Sequence, residues 1–268
     1  MKKLAIGILL GIICTHGQAQ DRFFARTYTS NVEFKGEFDI EGWNTSRVGH
    51  AQEMYSAQDR RLEFELGLGH NLQTSIYINH YHVRVTDSLH RTTKGNEMGV
   101  SNEWKWKISG PAKKLGVAVY EEVGVKGGDE VELESKVILD RSFGKSLFAF
   151  NATSEYEKEF RWVSGKLMTS PWEMPIEFNL GYMYNLNYSW GFGMEVLNKD
   201  VVSKAHGWEN AVLFGGPTTI YRHNDWFILA NYLLQWGNLH KTNESPYSKA
   251  LTEMERAEFR VVAGISIR

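Results

Sequence analysis

Cysteine is almost absent: Cys14 is the only one among 268 residues. No disulfide framework, thiolate metal centre or cysteine nucleophile follows from a single thiol near the start of the chain, so the core has to be stable by itself. Charge of one sign is lacking too. A formal net charge of −2 gives no reason to expect nucleic acid as a partner. A mean hydropathy of −0.38 excludes a bundle of transmembrane helices. After Ile13 no apolar run approaches the roughly 18 residues that a membrane helix requires, and helical periodicity is nowhere convincing. The charged fraction of 23% is nonetheless too ordinary for a disordered chain.

The start of the chain has the order of an export signal. Lys2 and Lys3 precede the apolar run Leu4–Ile13, and Gly17-Gln18-Ala19 places small residues at the −3 and −1 positions. Cleavage is expected after Ala19. Ile13, rather than a small residue, precedes Cys14, which argues against lipidation there. Removing residues 1–19 takes Lys2 and Lys3 away and shifts the net charge from −2 to −4. The cysteine leaves with them.

What the chain has in quantity is aromatic residues, with 9 Trp, 12 Tyr and 14 Phe, and alternation. Leu62, Phe64, Leu66 and Leu68 alternate with Arg61, Glu63, Glu65 and Gly67; Trp104, Trp106 and Ile108 alternate with Glu103, Lys105 and Lys107. Val131, Leu133, Val137 and Leu139 face away from Glu132, Glu134, Lys136 and Asp140. Phe259, Val261, Ala263, Ile265 and Ile267 lie opposite Glu258 and Arg260. Such period-two runs are strands with one apolar and one polar face. About twelve are expected, near 37–47, 59–70, 72–84, 96–108, 115–125, 130–141, 147–160, 176–186, 188–197, 208–218, 225–236 and 255–267.

Several are long enough to cross a membrane at a tilt. Short turns also alternate with longer connections at 48–58, 85–95, 161–175, 198–207 and 237–254. Lys126-Gly127-Gly128-Asp129 is the exception, a tight turn where a long loop is expected. An all-β fold follows: a transmembrane antiparallel up-and-down β-barrel of about 12 strands over residues 36–268, both termini facing the periplasm. A secreted sandwich or lipocalin-like barrel is the competing assignment, because alternation does not separate inside from outside. The aromatics at strand ends favour the membrane. Trp43, Trp104, Trp162, Trp172, Tyr188, Trp190, Trp208, Trp226 and Trp236 are the candidate interface belts.

With the apolar face on lipid, the lumen is expected to be lined by Glu37, Asp39, Glu41, Arg61, Glu63, Glu65, Glu103, Lys105, Lys107, Glu132, Glu134, Glu155, Glu157, Glu177, Glu195, Glu258 and Arg260. These groups either satisfy one another around a closed core or form a narrow, weakly cation-preferring path. Residues 20–35, with Phe23, Phe24, Tyr28 and Phe34, lie in the lumen as a plug, cross its periplasmic mouth or fray as a leader.

Catalytic and metal chemistry find little support. His80 and His82 share one strand face while Ser75 and Asn79 share the other, His206 and Ser203 fall in a loop, and no Gly-x-Ser-x-Gly elbow occurs. His80 and His82 are a candidate metal pair, with His50 and His90 in neighbouring loops, but nothing at a ligand-like spacing completes the site. No cofactor is expected. Gly67-Leu68-Gly69 has no helix after it, so a phosphate-loop reading fails.

Tyr28-Thr29, Lys35-Gly36-Glu37, Trp43, Arg47, the run Arg61–Gly69 and Leu72-Gln73-Thr74-Ser75 with Tyr77 resemble a group of uncharacterised bacterial outer-membrane barrels. These are similar to the transporters associated with phenol degradation (MetA type). The match covers residues 22–84, and beyond it only the strand rhythm agrees. The resemblance implies an outer-membrane location, a transport role and no catalytic residues. The partners to expect are outer-membrane lipid, the barrel-insertion machinery and a small solute. One departure is the ending Ile265-Ser266-Ile267-Arg268, which lacks the usual terminal aromatic.

Overall fold

The alternating runs form one ladder. A computed structural model describes residues 22–111, 115–242, 246–252 and 254–267; the export signal falls outside them. The strands are β1 (Phe38–Val48), β2 (Met54–Gly69), β3 (Leu72–Thr86), β4 (Thr92–Ser109), β5 (Gly116–Lys126), β6 (Glu130–Phe143), β7 (Ser146–Val163), β8 (Lys166–Thr169), β9 (Glu173–Asn185), β10 (Trp190–Ser203), β11 (Gly207–His223), β12 (Trp226–Asn238) and β13 (Ala257–Ile267). Each pairs antiparallel with its neighbour, β7 passes over β8 to pair with β9, and β1 pairs with β13. Twelve strands therefore close into a barrel, and β8 is a short extension folded back on the end of β7.

Both termini of the barrel wall, Phe38 and Ile267, lie at one end. The turns after β2, β4, β6, β9 and β11 share that end. His70 and Asn71 both take positive φ, 53° and 63°, the twist that a two-residue hairpin needs to match its strands. The other end differs from expectation. The loops expected at 48–58, 85–95 and 161–175 are largely strand: β2 begins at Met54, β3 and β4 run to Thr86 and from Thr92, and β7 reaches Val163. Ladder hydrogen bonds need no apolar side chains, so pairing continues where the apolar stripe that marks a strand in sequence has stopped. Asp87 closes one shortened loop, accepting the backbone N–H groups of Leu89 and Arg91 at 2.9 Å each. The Arg91 N–H holds its carboxyl below the usual range. The connection from β12 to β13 is the long one, and its described part meets the wall: Ala250 N–H reaches Gln235 Oε1 at 2.8 Å, and Ala250 and Met254 pack with Leu197, Val212, Phe214 and Leu233.

Burial separates the two faces. Ile76, Val100, Trp106, Val123, Leu133, Phe150, Leu180, Phe192, Ile228 and Ile265 are exposed on the outer surface, while Glu41, Glu63, Glu103, Lys105, Glu195 and Asn231 are buried inside. An apolar exterior around a polar interior excludes the sandwich and lipocalin-like assignments, which bury the apolar face.

The interior is not uniformly polar, however. Ile138, Leu147, Ala149, Met183, Ile220, Phe227, Leu229 and Val262 occupy inward positions and surround Phe24 and Ala25, which are fully buried. Residues 22–33 thus run inside the barrel. Burying one phenylalanine there contributes about 1.5–3 kcal/mol. Gly181 makes the room: a Cβ on it would meet the Phe24 ring at 2.8 Å. Gly181→Val should therefore overpack the site by about 1–3 kcal/mol and loosen the segment. Trypsin should cut faster after Arg22 and Arg26 while the barrel itself stays folded; unchanged cleavage would show that Phe24 does not anchor the segment.

Candidate functional site

An extended segment crossing a lumen has backbone groups that no ladder satisfies, and each needs a partner if buried. Here the wall supplies side chains from four strands. Glu195 on β10 accepts the N–H groups of Ala25 at 2.9 Å and Arg26 at 3.0 Å. Asn151 on β7 accepts from Tyr28 N–H at 2.6 Å and donates to its carbonyl at 3.0 Å, as a paired strand would. Asp140 on β6 binds Ser30 through N–H at 3.1 Å and Oγ at 2.7 Å, and Gln73 on β3 accepts Glu33 N–H at 2.9 Å.

The side chains of the segment bring charge to the same wall. Arg22 lies 3.0 Å from Glu41 and 3.2 Å from Glu63, its guanidinium 4.3 and 4.2 Å from the rings of Tyr28 and Trp43. Arg26 pairs with Glu258 at 3.0 Å and Glu177 at 3.4 Å. Arg22 thereby serves the cross-strand pair Glu41↔Glu63 of β1–β2, and Arg26 serves Glu177 on β9 and Glu258 on β13. Lone buried carboxylates would cost several kcal/mol.

Trp43 is a correction to the expected belt. It is 7% exposed and faces inward, its Nε1 donating to Glu41 at 2.9 Å. The reason is parity: position 43 shares the period-two face of Glu41 and Thr45, not that of Ile40. Trp162 also departs from the belt. It stands on the face of β7 that carries Phe148, about 35 Å further along the axis at ~3.3 Å per residue and ~40° tilt. That exceeds an apolar band of about 25 Å. Trp104, Tyr188, Trp190 and Trp226 are exposed near the end that holds the termini, and Trp208 and Trp236 near the other. Trp172 packs against Tyr156 with ring centroids 6.4 Å apart.

The remaining expected lumen residues divide into two levels. Near the termini, Asp39 accepts Ser266 Oγ at 3.0 Å, Gln73 donates to Glu65, and Tyr77 donates to Glu103. Lys105 is fully buried, Lys107 reaches Asn31 at 3.5 Å, and Glu37 sits at the mouth, accepting Phe34 N–H at 3.1 Å. Beyond the segment, Arg61, Glu134, Glu155, Glu177 and Arg260 line a cavity of about 190 Å³. Arg61 donates to Asn79 at 2.9 Å and lies 3.5 Å from Glu122. Further out, Glu130, Glu132 and Glu157 hold three carboxylate oxygens within 4.8 Å, a geometry able to take a cation. The Lys126 ammonium already lies 3.3 and 3.5 Å from two of them.

The expected lumen set leaves out the tethers Asp140, Asn151 and Gln73 and the cations Arg22 and Arg26. Asp140 and Lys136 were readable by parity with Glu132 and Glu134. The arginines of an irregular segment carry no such signal. His80 and His82 lie on the outer face, His82 beside Asn96 at 2.8 Å, whereas Ser75 and Asn79 are buried on the inner face, so β3 assembles no hydrolytic set.

The architecture has solved counterparts. An outer-membrane channel of the COG4313 group from Pseudomonas putida F1 superposes with a TM-score of 0.64 at 6% identity, covering 88% of this chain and 97% of that one. The β-domain of the Bordetella autotransporter BrkA gives 0.60 at 7% identity, covering 88% and 100%. The NanC porin gives 0.51 at 11% identity, covering 85% and 98%. At these identities the likeness is one of fold: the outer-membrane β-barrel. Among curated proteins none matches. Residues 16–267 match one family throughout. The chain, a closed twelve-stranded barrel with its own N-terminal residues threaded into the lumen, belongs to the family of unknown function DUF6662.

Proposed function

We propose that this barrel resides in a Gram-negative outer membrane, reaches it through a signal cleaved after Ala19, and passes a small solute through a lumen narrowed by residues 22–33. The observation that carries the reading is the lumen itself: a polar cavity of about 190 Å³, bounded by charged side chains of opposite sign, above a segment held by side-chain contacts rather than by sheet. An apolar exterior supports the membrane, since each strand offers lipid only alternate residues. The exposed tryptophans near both ends supply the interfacial anchors, and lipid and the insertion machinery are then the partners. One similar structure is an outer-membrane channel and another a porin, which agrees with transport. The resemblance of residues 22–84 to phenol-pathway transporters is specific for the barrel and not for a substrate, and the charges lining the cavity favour a charged solute.

A second reading has its own observation. The segment fills the inner half of the lumen with an apolar cluster around Phe24, which suits a structural or adhesive barrel that conducts nothing.

Planar-bilayer recordings of the purified protein separate the two. A channel should give small, discrete conductance steps. Arg26→Ala, which strips Glu177 and Glu258 of their cation, should weaken docking of the segment by about 3–5 kcal/mol and raise the conductance severalfold. Asn151→Leu should act the same way, since it leaves a buried N–H and a buried carbonyl of Tyr28 unpaired at about 1–3 kcal/mol each. Silence in the wild type and in both variants would favour the structural barrel.

A further inference from the structure

We infer that the cavity above the N-terminal segment is a binding site for a small zwitterion, a molecule carrying one cationic and one carboxylate group, such as an amino acid. The inference rests on the channel reading and names its solute class.

Two charged side chains on facing walls of the cavity lack a close ion pair among the described residues. On β13, Arg260 donates Nε to Thr45 Oγ1 at 2.8 Å and Nη1 to the Ala25 carbonyl at 3.4 Å. Among the described residues its carboxylate partner is Glu258, 4.0 Å from Nη2, and Arg26 holds the other Glu258 oxygen at 3.0 Å. On β7, Glu155 makes no hydrogen bond or ion pair with any described residue, although its cross-strand partner Glu134 is held by Lys136 at 2.9 Å. Both side chains line the same cavity. Around the ring β13 and β7 are five strands apart one way and seven the other, which puts them on almost opposite walls.

The polar groups between them fit a ligand rather than further protein. The Thr153 hydroxyl, two positions from Glu155 on the same face and 6% exposed, has no hydrogen-bond partner among the described residues and borders the cavity. Arg61 beside Arg260 adds positive potential to one side, and Glu177 adds negative potential near the segment. A simple anion would meet Glu155, and a simple cation would meet Arg260 and Arg61. A zwitterion places its carboxylate on the guanidinium and its ammonium on Glu155 with no net charge transferred into the lumen. The volume of about 190 Å³ is below the ~300–1,000 Å³ of pockets for drug-sized ligands, so the solute has few heavy atoms.

The test compares zwitterions with singly charged solutes. Glycine and 4-aminobutyrate are titrated against butylammonium and butyrate in planar bilayers holding the full-length protein, and the concentration that half-blocks the ion current is read. At least one zwitterion should block at a concentration tenfold or more below either singly charged solute. Glu155→Gln should abolish its advantage over butyrate, and Arg260→Gln its advantage over butylammonium. Equal blocking by all four solutes, or an advantage that survives Glu155→Gln, overturns the proposal; this variant serves even if Arg260→Gln fails to fold. If neither the wild type nor Arg26→Ala passes any current, the channel reading fails separately. Equilibrium dialysis of radiolabelled glycine and 4-aminobutyrate against the detergent-solubilised barrel then decides the site: binding lost in Glu155→Gln upholds it, and absence of binding overturns it.

Discussion

Phe38 pairs with Ile267 and Val48 with Ala257, and the ladder between them joins the first strand to the last. Without that seam the sheet would present two edges, each a row of unpaired N–H and C=O groups beside an apolar surface. The demand that every such group be paired is the constraint from which the rest follows. It sets the antiparallel order, keeps strands pairing past the apolar stripe and makes the outer face a continuous apolar wall. The same demand reappears inside. Residues 22–33 belong to no sheet, so Glu195, Asn151, Asp140 and Gln73 act in place of neighbouring strands.

Charge is the second consequence of closure. Alternation that turns apolar residues outward turns carboxylates inward, and they meet in cross-strand pairs: Asp39↔Glu65 and Glu41↔Glu63 on β1–β2, Glu132↔Glu157 and Glu134↔Glu155 on β6–β7. Like charges directly opposite each other are unfavourable. At the inner level Arg22 relieves the Glu41–Glu63 pair, and Arg26 relieves Glu177 and Glu258. The segment thus brings counter-ions into the lumen, and its docking removes a repulsion that the empty barrel would carry. At the outer level Lys126 and Lys136 serve part of the acidic row, and Glu155 is left to the cavity.

The strands were legible because period two survives any tertiary context that buries one face. All twelve expected runs correspond to barrel strands, and the inward set from Asp39 to Arg260 follows from parity alone. Parity also held the answer for Trp43, where a preference for interfacial tryptophan outweighed the face it shares with Glu41. The outer loops were overestimated at 85–95 because Thr92–Asn96 is polar on both faces, and a strand without an apolar stripe resembles a loop in sequence. Inward apolar residues such as Met183, Leu229 and Val262 were hidden among their outward neighbours. Their role becomes visible only with Phe24 packed against them.

Local sequence determined the strands, their faces and an exterior suited to lipid, because these depend on residues one and two positions apart. Tertiary structure alone decided what occupies the lumen. Arg26 meets Glu258 across 232 positions, and Tyr28 meets Asn151 across 123. No periodicity encodes such encounters, since they depend on twelve strands closing first and leaving a space of the right width. That width, rather than any motif, brings Arg260 and Glu155 to facing walls of one cavity.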